Sequence, residues 1–453
     1  MKEDLLEKFL SSFDFDHKLA KYDVETCIKW TEMLLEKNLV DEKNGQRLIK
    51  TLEEIKNNPE KILPSEDIHY AVEQTLEYFL GKDKDLAGVI RTARSRNDLV
   101  VSDERMFLKE KINEIIKSSK NLIKEIVELA KRNLNVLMVG YTHLQPAQPV
   151  LFSHYILCFA WWFLRDIERL KDCYKRVDIS VLGSAAFAGS SFDIDRKKIA
   201  KKLGFKTISE NSVDSVSDRD FITEFIFCCS IMMMHLSRMA EEFIIWCNPN
   251  FGYISLPKNL TSGSSIMPQK QNPDYLELIR GKTAKVYSDL IGILVLMKGL
   301  PLSYNRDMQE DKIYMFSAYE TTKQCVEVMS LIVRNIKVNY EKLIKDVENY
   351  DFLFATEIAN FIVQNLSYPY KLAHKKTRDI LDYCRDKNKK ISQLNYEDYV
   401  KVLGEKFKKD MFDKIKELLK VENVIKNYKT YGGSSISDVK RQIKKLSYNL
   451  RKV

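Results

Sequence analysis

A chain of 453 residues with only 15 glycines and 10 prolines can bury a large core and is too poor in turn formers for many short strands. Its formal charge of +9, from 73 Lys and Arg against 64 Asp and Glu, suits a Lys-rich solvated surface. The densest basic stretch, Lys440 to Lys452, reads as an ordinary surface helix, so no nucleic-acid partner is expected.

Residues 1–100 are mixed and read as an N-terminal domain, with a helical stretch from Val24 to Asn58 and a polar turn before Ser65-Glu66-Asp67-Ile68-His69. From Asp103 to Leu137, apolar residues such as Met106, Ile112, Leu122, Ile126 and Leu134 recur at helical intervals, which predicts one long helix. Further long helices are predicted from Phe152 to Asp178, Arg219 to Cys247, Pro273 to Met297 and Gln309 to Lys345. The Arg219 to Cys247 segment is apolar on nearly every side, but Glu224, His235, Arg238, Glu241 and Glu242 interrupt it. A helix packed among others is therefore expected rather than a membrane span. Residues 101–350 form the central long-helix domain and 351–453 a smaller helical domain, so the fold class is all-α.

Helices this long and this apolar imply a bundle larger than one chain supplies, and hence an oligomer. The eight cysteines, Cys27, Cys158, Cys173, Cys228, Cys229, Cys247, Cys325 and Cys384, lack C-x-x-C spacing and sit mostly in apolar helical runs. They read as reduced core residues. The N-terminus, MKEDLLEKFLSSFDFD, has no apolar leader stretch, so a cytoplasmic location is expected. The scattered His and Cys show no metal-ligand spacing, so neither metal nor cofactor is expected.

Four segments concentrate chemistry. Leu260 to Arg280 reads LTSGSSIMPQKQNPDYLELIR: small residues and Ser264, then Lys270 and Asn272, then Pro273 opening a helix that carries Glu277. A cation and neutral donors crowded before a helix N-terminus suit a carboxylate or a phosphate. GYTHLQPAQP places Thr142 and His143 between polar turns, and RTARSRND sets three arginines within six residues from Arg91. LPLSYNRDMQEDK puts Tyr304, Gln309 and Lys312 at the start of a charged helix.

GSSIMPQKQNPDYLE resembles the signature loop of the fumarase and aspartase superfamily, and RSRND and LPLSYNRDMQEDK resemble its argininosuccinate lyase branch. FLSSFDFD, LGSAAFAGSSFDIDR and NSVDSVSDRDF resemble further stretches of that family. The resemblance implies Ser264 as base, Lys270 and Asn272 holding a substrate carboxylate, and His143, beside Thr142, oriented by Glu277. It implies Arg96 and Asn97 on the fumarate half, Tyr304, Gln309 and Lys312 on the amino-acid half, and Ser12 and Asp16 in the site. Arg91, Ala93, Leu99 and Gln271 depart from the usual His, Gly, Gln and Lys, which leaves a lyase for another N-substituted aspartate as the rival reading, with an inactive structural homologue as a further one.

By resemblance the activity is β-elimination of argininosuccinate to arginine and fumarate, within arginine biosynthesis. The assembly so implied is a homotetramer with a central helix bundle and sites built from several chains.

Overall fold

The structure, a computed structural model, describes residues 2–452. It is all-α, and among the described residues strands occur only as three two-stranded pairings. The long helices are Arg96–Arg132, Phe152–Val177, Asp220–Cys247, Asp274–Met297 and Asp311–Asn335. The first begins earlier than its apolar spacing suggests, because the Asp98 carboxylate accepts the Ser95 N–H at 3.0 Å and closes its first turn.

Three predicted stretches divide differently. Val24 to Asn58 is two helices, Ala20–Glu36 and Glu42–Asn57, separated by Asn38 at φ 55° and restarted by the Asp41 side chain, which accepts the Asn44 N–H. Gln309 to Lys345 breaks into the Asp311–Asn335 helix, a short strand Lys337–Val338 and a helix Tyr340–Asn349 capped by Asn339. GYTHLQPAQP is a β-hairpin, with Leu137–Thr142 antiparallel to Gln145–Leu151. The Asp220–Cys247 helix is long and apolar enough to cross a membrane, but 61% of its most apolar window is buried in protein. Its Glu224 accepts a hydrogen bond from Arg176 at 2.6 Å. Of the cysteines expected in the core, Cys158 is exposed on this single chain and Cys247 is half-buried.

The chain divides into two compact units. The first comprises Met1–Ser119, Arg165–Leu236 and Ile279–Val326. Trp30, Met33 and Leu34 pack there against Leu182, Ile199 and Phe205, and Phe107 meets Tyr22 and Phe316 edge-on with ring centres 5.8 and 5.0 Å apart. This unit also encloses four ions, Glu104, Arg219, Asp311 and Lys312, each less than 5% exposed. The Lys312 ammonium lies 3.1 Å from Glu104 and 3.0 Å from Asp311, and Arg219 pairs with Asp311 and, at 3.5 Å, with Glu104.

The second unit comprises Lys120–Leu164, Ser237–Leu278 and Glu327–Val453. Val139 of the hairpin packs on Val347 and Leu353, and Ile362, Ile380, Tyr399, Phe407 and Ile415 form a separate apolar cluster further along the chain.

The four buried ions cancel in charge, so removing one strands another out of water. Asp311→Ala is expected to cost about 3–5 kcal/mol of stability, read as a lowered urea midpoint with the dependence on denaturant unchanged.

Candidate active site

Seven residues singled out in the sequence, Ser12, Asp16, Arg96, Asn97, Tyr304, Gln309 and Lys312, line one cavity of about 120 Å³ in the first unit, together with Asp67, His69, Val100 and Arg306. They come from three stretches separated by some 80 and 200 residues of chain, and the helices deliver them by local chemistry. Ser12 Oγ donates to Asp16 Oδ2 at 2.6 Å, and the other Asp16 oxygen accepts the Ile68 N–H at 3.1 Å. Asp67 caps the Ile68–Leu80 helix by accepting the Tyr70 N–H, and its other oxygen takes the Arg96 guanidinium at 2.9 Å. Asn97 Nδ2 donates to the Ala186 carbonyl at 2.9 Å. Gln309 Nε2 and Arg306 Nη2 donate to the Leu10 carbonyl at 3.2 and 2.8 Å.

The electrostatics of this cavity follow from burial and neighbours. Burial alone would depress the Lys312 ammonium, but Asp311 and Glu104 hold it above its ordinary value, so it presents a permanent cation. Burial raises the Asp16 carboxyl, an effect that His69 and the Ser12 hydroxyl only partly offset. Burial likewise raises the Tyr304 phenol against the pull of Lys312 and Arg219, so it stays a neutral donor. A concave site with fixed cations, amide donors and a phenol suits a small molecule carrying carboxylates.

The remaining candidates, Thr142, His143, Ser264, Lys270, Asn272 and Glu277, lie in the second unit. His143 and Leu144 form the two-residue turn of the hairpin, and both take positive φ, 56° and 57°. That is the conformation a type I′ turn requires, and it is strained for residues with a Cβ. The turn holds Thr142 and His143 exposed at the hairpin tip. The signature segment is a loop pinched at its neck, where Ser262 and Asn272 exchange backbone hydrogen bonds at 3.1 and 2.8 Å. Within it Ser264 Oγ accepts the N–H groups of Ile266 and Met267 at 3.3 and 3.1 Å. Glu277 sits exposed in the first turn of the Asp274–Met297 helix. Among the described residues the side chains of His143, Lys270 and Glu277 have no hydrogen-bond or ion-pair partner, so one chain does not bring His143 and Glu277 into contact.

Four cavity residues, Asp67, His69, Val100 and Arg306, were not singled out from the sequence. Arg306 lay inside a segment read for its Tyr, Gln and Lys, and Asp67 and His69 inside a stretch noted only as following a polar turn. His69 also forms a buried cluster with Asp23 and Asp103, a grouping no local spacing reveals.

A family model described as lyase matches residues 2–288, and one described as argininosuccinate lyase C-terminal matches residues 352–426. The chain is 41% identical to the argininosuccinate lyase of Syntrophus aciditrophicus, over 98% of this chain and 93% of that protein. It is also 41% identical to that of Caldicellulosiruptor bescii, over 99% and 96%. Its fold is similar to the structure of EDDS lyase in complex with formate, with a TM-score of 0.84 at 23% identity, covering 96% of this chain and 87% of that one. It is also similar to class II fumarase from Schistosoma mansoni, with a TM-score of 0.74 at 15% identity, covering 89% and 90%.

The three departures near RSRND do not line the cavity. Arg91 turns to Glu73, its Nε 2.6 Å from the carboxylate, and Leu99 is a core residue at 4% exposure. Ala93 adopts φ 60°, a backbone that favours glycine and that alanine occupies under strain. Ala93→Gly is therefore expected to stabilise the chain by up to about 1 kcal/mol, opposite in sign to an ordinary Ala→Gly change, measured by chemical unfolding.

Proposed function

The chain belongs to the argininosuccinate lyase family, and on that premise we propose how its residues divide the reaction. The chain is a carbon–nitrogen lyase that splits argininosuccinate into arginine and fumarate. In that elimination a base takes a proton from the carbon beside a carboxylate, the electron pair left behind becomes the double bond of fumarate, and the C–N bond breaks. The departing guanidino nitrogen takes up a proton.

Ser264 is the base in this reading. A serine hydroxyl is a weak base, and what supports the role is that Ser264 Oγ already accepts two backbone N–H groups, which favour its alkoxide form. Lys270 and Asn272 hold the carboxylate on which charge builds as the proton leaves. His143 supplies the proton to the departing nitrogen, oriented by Glu277. Arg96 and Asn97 hold the fumarate half, Tyr304, Gln309 and Lys312 the amino-acid half, with Ser12, Asp16 and Thr142 completing the contacts. The single observation that carries this reading is the meeting at one cavity of seven residues picked out beforehand from separate stretches of sequence.

The assembly proposed is a homotetramer in which His143 and Glu277 of different chains meet. In support, the Asp274–Met297 helix exposes an apolar stripe on the single chain, Ile291, Leu294 and Val295, each more than half exposed, with Leu278 exposed on another face. A cytoplasmic enzyme of arginine biosynthesis is the setting this reaction suits.

Ultraviolet absorbance of fumarate tests the reading. The purified chain is expected to release fumarate from argininosuccinate, and His143→Asn and Ser264→Ala each to lose at least about a hundredfold in kcat/KM, roughly 2.7 kcal/mol of transition-state stabilisation. A parent silent on argininosuccinate would overturn the substrate, and unimpaired variants would overturn the roles.

A further inference from the structure

Behind the cavity of the first unit lies an ion cluster that the proposed reaction does not use. His69 Nδ1 lies 2.5 Å from Asp23 Oδ2 and 3.7 Å from Asp103 Oδ2, and the two carboxylates are 1% and 0% exposed. The carboxylates are held in turn: Thr26 Oγ1 donates to Asp103 Oδ1 at 2.9 Å, and Cys27 Sγ lies 3.6 Å from Asp23 Oδ1. Asp103 Oδ2 is buried without a hydrogen-bond partner and faces the imidazole. The short approach is that of a charge-assisted hydrogen bond between imidazole and carboxylate. Nδ1 and Oδ2 lie closer than two ligands of one tetrahedral ion, which stay about 3 Å or more apart, and as they stand they form an ion pair.

His69 also lines the substrate cavity, and with Nδ1 committed to Asp23 its remaining ring donor is Nε2. We propose that His69 is a substrate-binding residue of this enzyme, an imidazolium locked in place by Asp23 and Asp103 whose Nε2–H grips a carboxylate of the substrate. The inference rests on the reading of this cavity as the substrate site.

Two buried carboxylates side by side need a counter-charge or a proton: burial and Asp23 raise the Asp103 carboxyl well above its ordinary value, and His69 and Arg94 are the cations that oppose this. Burial alone would depress the imidazolium, but the hydrogen bond and charge of Asp23, with Asp67 and Asp103, hold it up to about 9. The other charges facing this group are Asp16, which feels His69 directly, Lys312, which acts on Asp16, and Arg94, which acts on Asp103. A neutral imidazole would offer a weaker hydrogen bond, and the carboxylates behind it would then repel an anionic substrate. The imidazolium screens them.

Argininosuccinate carries carboxylates on both halves, so fumarate and arginine are the two probes. Their dissociation constants are measured by titration calorimetry from pH 7 to 10 for the wild-type chain, His69→Asn and Asp23→Asn, with circular dichroism and oligomeric state checked for each. Because this readout needs binding alone, it stays separate from the fumarate-release assay that tests the reaction. The expected result is that His69→Asn weakens one of the two ligands at least tenfold at pH 7. The ratio of variant to wild-type constants, in which the ligand's own titration cancels, should fall towards one above pH 9 as wild-type His69 loses its proton. Asp23→Asn should begin to lose affinity at least one pH unit lower than wild type. Constants for both ligands within twofold of wild type in a folded His69→Asn would overturn the proposal. Should that variant fail to fold, an Asp23→Asn profile that tracks wild type from pH 7 to 9 would overturn it equally.

Discussion

Lys312 serves the cavity only because Asp311 and Glu104 keep its ammonium charged out of water. Taking an ion from water costs several kcal/mol or more, and here four ions of balanced sign share that cost. Glu104 comes from the Arg96–Arg132 helix, Arg219 precedes the Asp220–Cys247 helix, and Asp311 and Lys312 open the Asp311–Asn335 helix. Apolar side chains of similar volume would join those three segments at least as firmly. What apolar packing cannot supply is a cation fixed at the wall of a small cavity. The network thus ties the register of the helices to the position of a charge, and the rest of the cavity is arranged around it.

The chemistry is divided by burial. The first unit holds a cavity whose Ser12, Asp16, His69 and Lys312 are buried and, with Arg96, Asn97 and Gln309, already paired to backbone or to neighbouring side chains, so that little reordering is needed for binding. The second unit holds the groups proposed for proton transfer, His143 exposed on a strained hairpin tip and Ser264 half-buried in a pinched loop. Elimination from a carbon acid requires charge to be stabilised where water is excluded. The exposed His143, Lys270 and Glu277 meet that requirement once covered, and the apolar stripe along Asp274–Met297 is a surface of the kind an assembly covers. Within the first unit, the Asp23–His69–Asp103 cluster lies one layer behind the lining residues named by motif.

The departures from the family pattern are settled by backbone and packing. Arg91 is consumed by Glu73, Leu99 by the core, and Ala93 by a turn whose φ a glycine would take without strain. None of these three alters the lining of the cavity, so they act on the scaffold.

The sequence by itself determined the fold class and the long helices, because apolar periodicity over many turns is a local property that packing seldom reverses. Through its resemblance to the family it also picked out seven residues that line the cavity, because the stretches carrying them are short and contiguous. Only the tertiary structure decided where helices break, since Asp41, Asn339 and the positive φ of Asn38 act through single hydrogen bonds and dihedrals that periodicity averages away. It alone revealed the hairpin under His143, because Pro and Gln within a strand blur the alternation that marks one. And it alone joined Asp23, His69 and Asp103, whose meeting rests on three helices converging and which, read in order, are an unremarked acid, a residue following a turn and another acid.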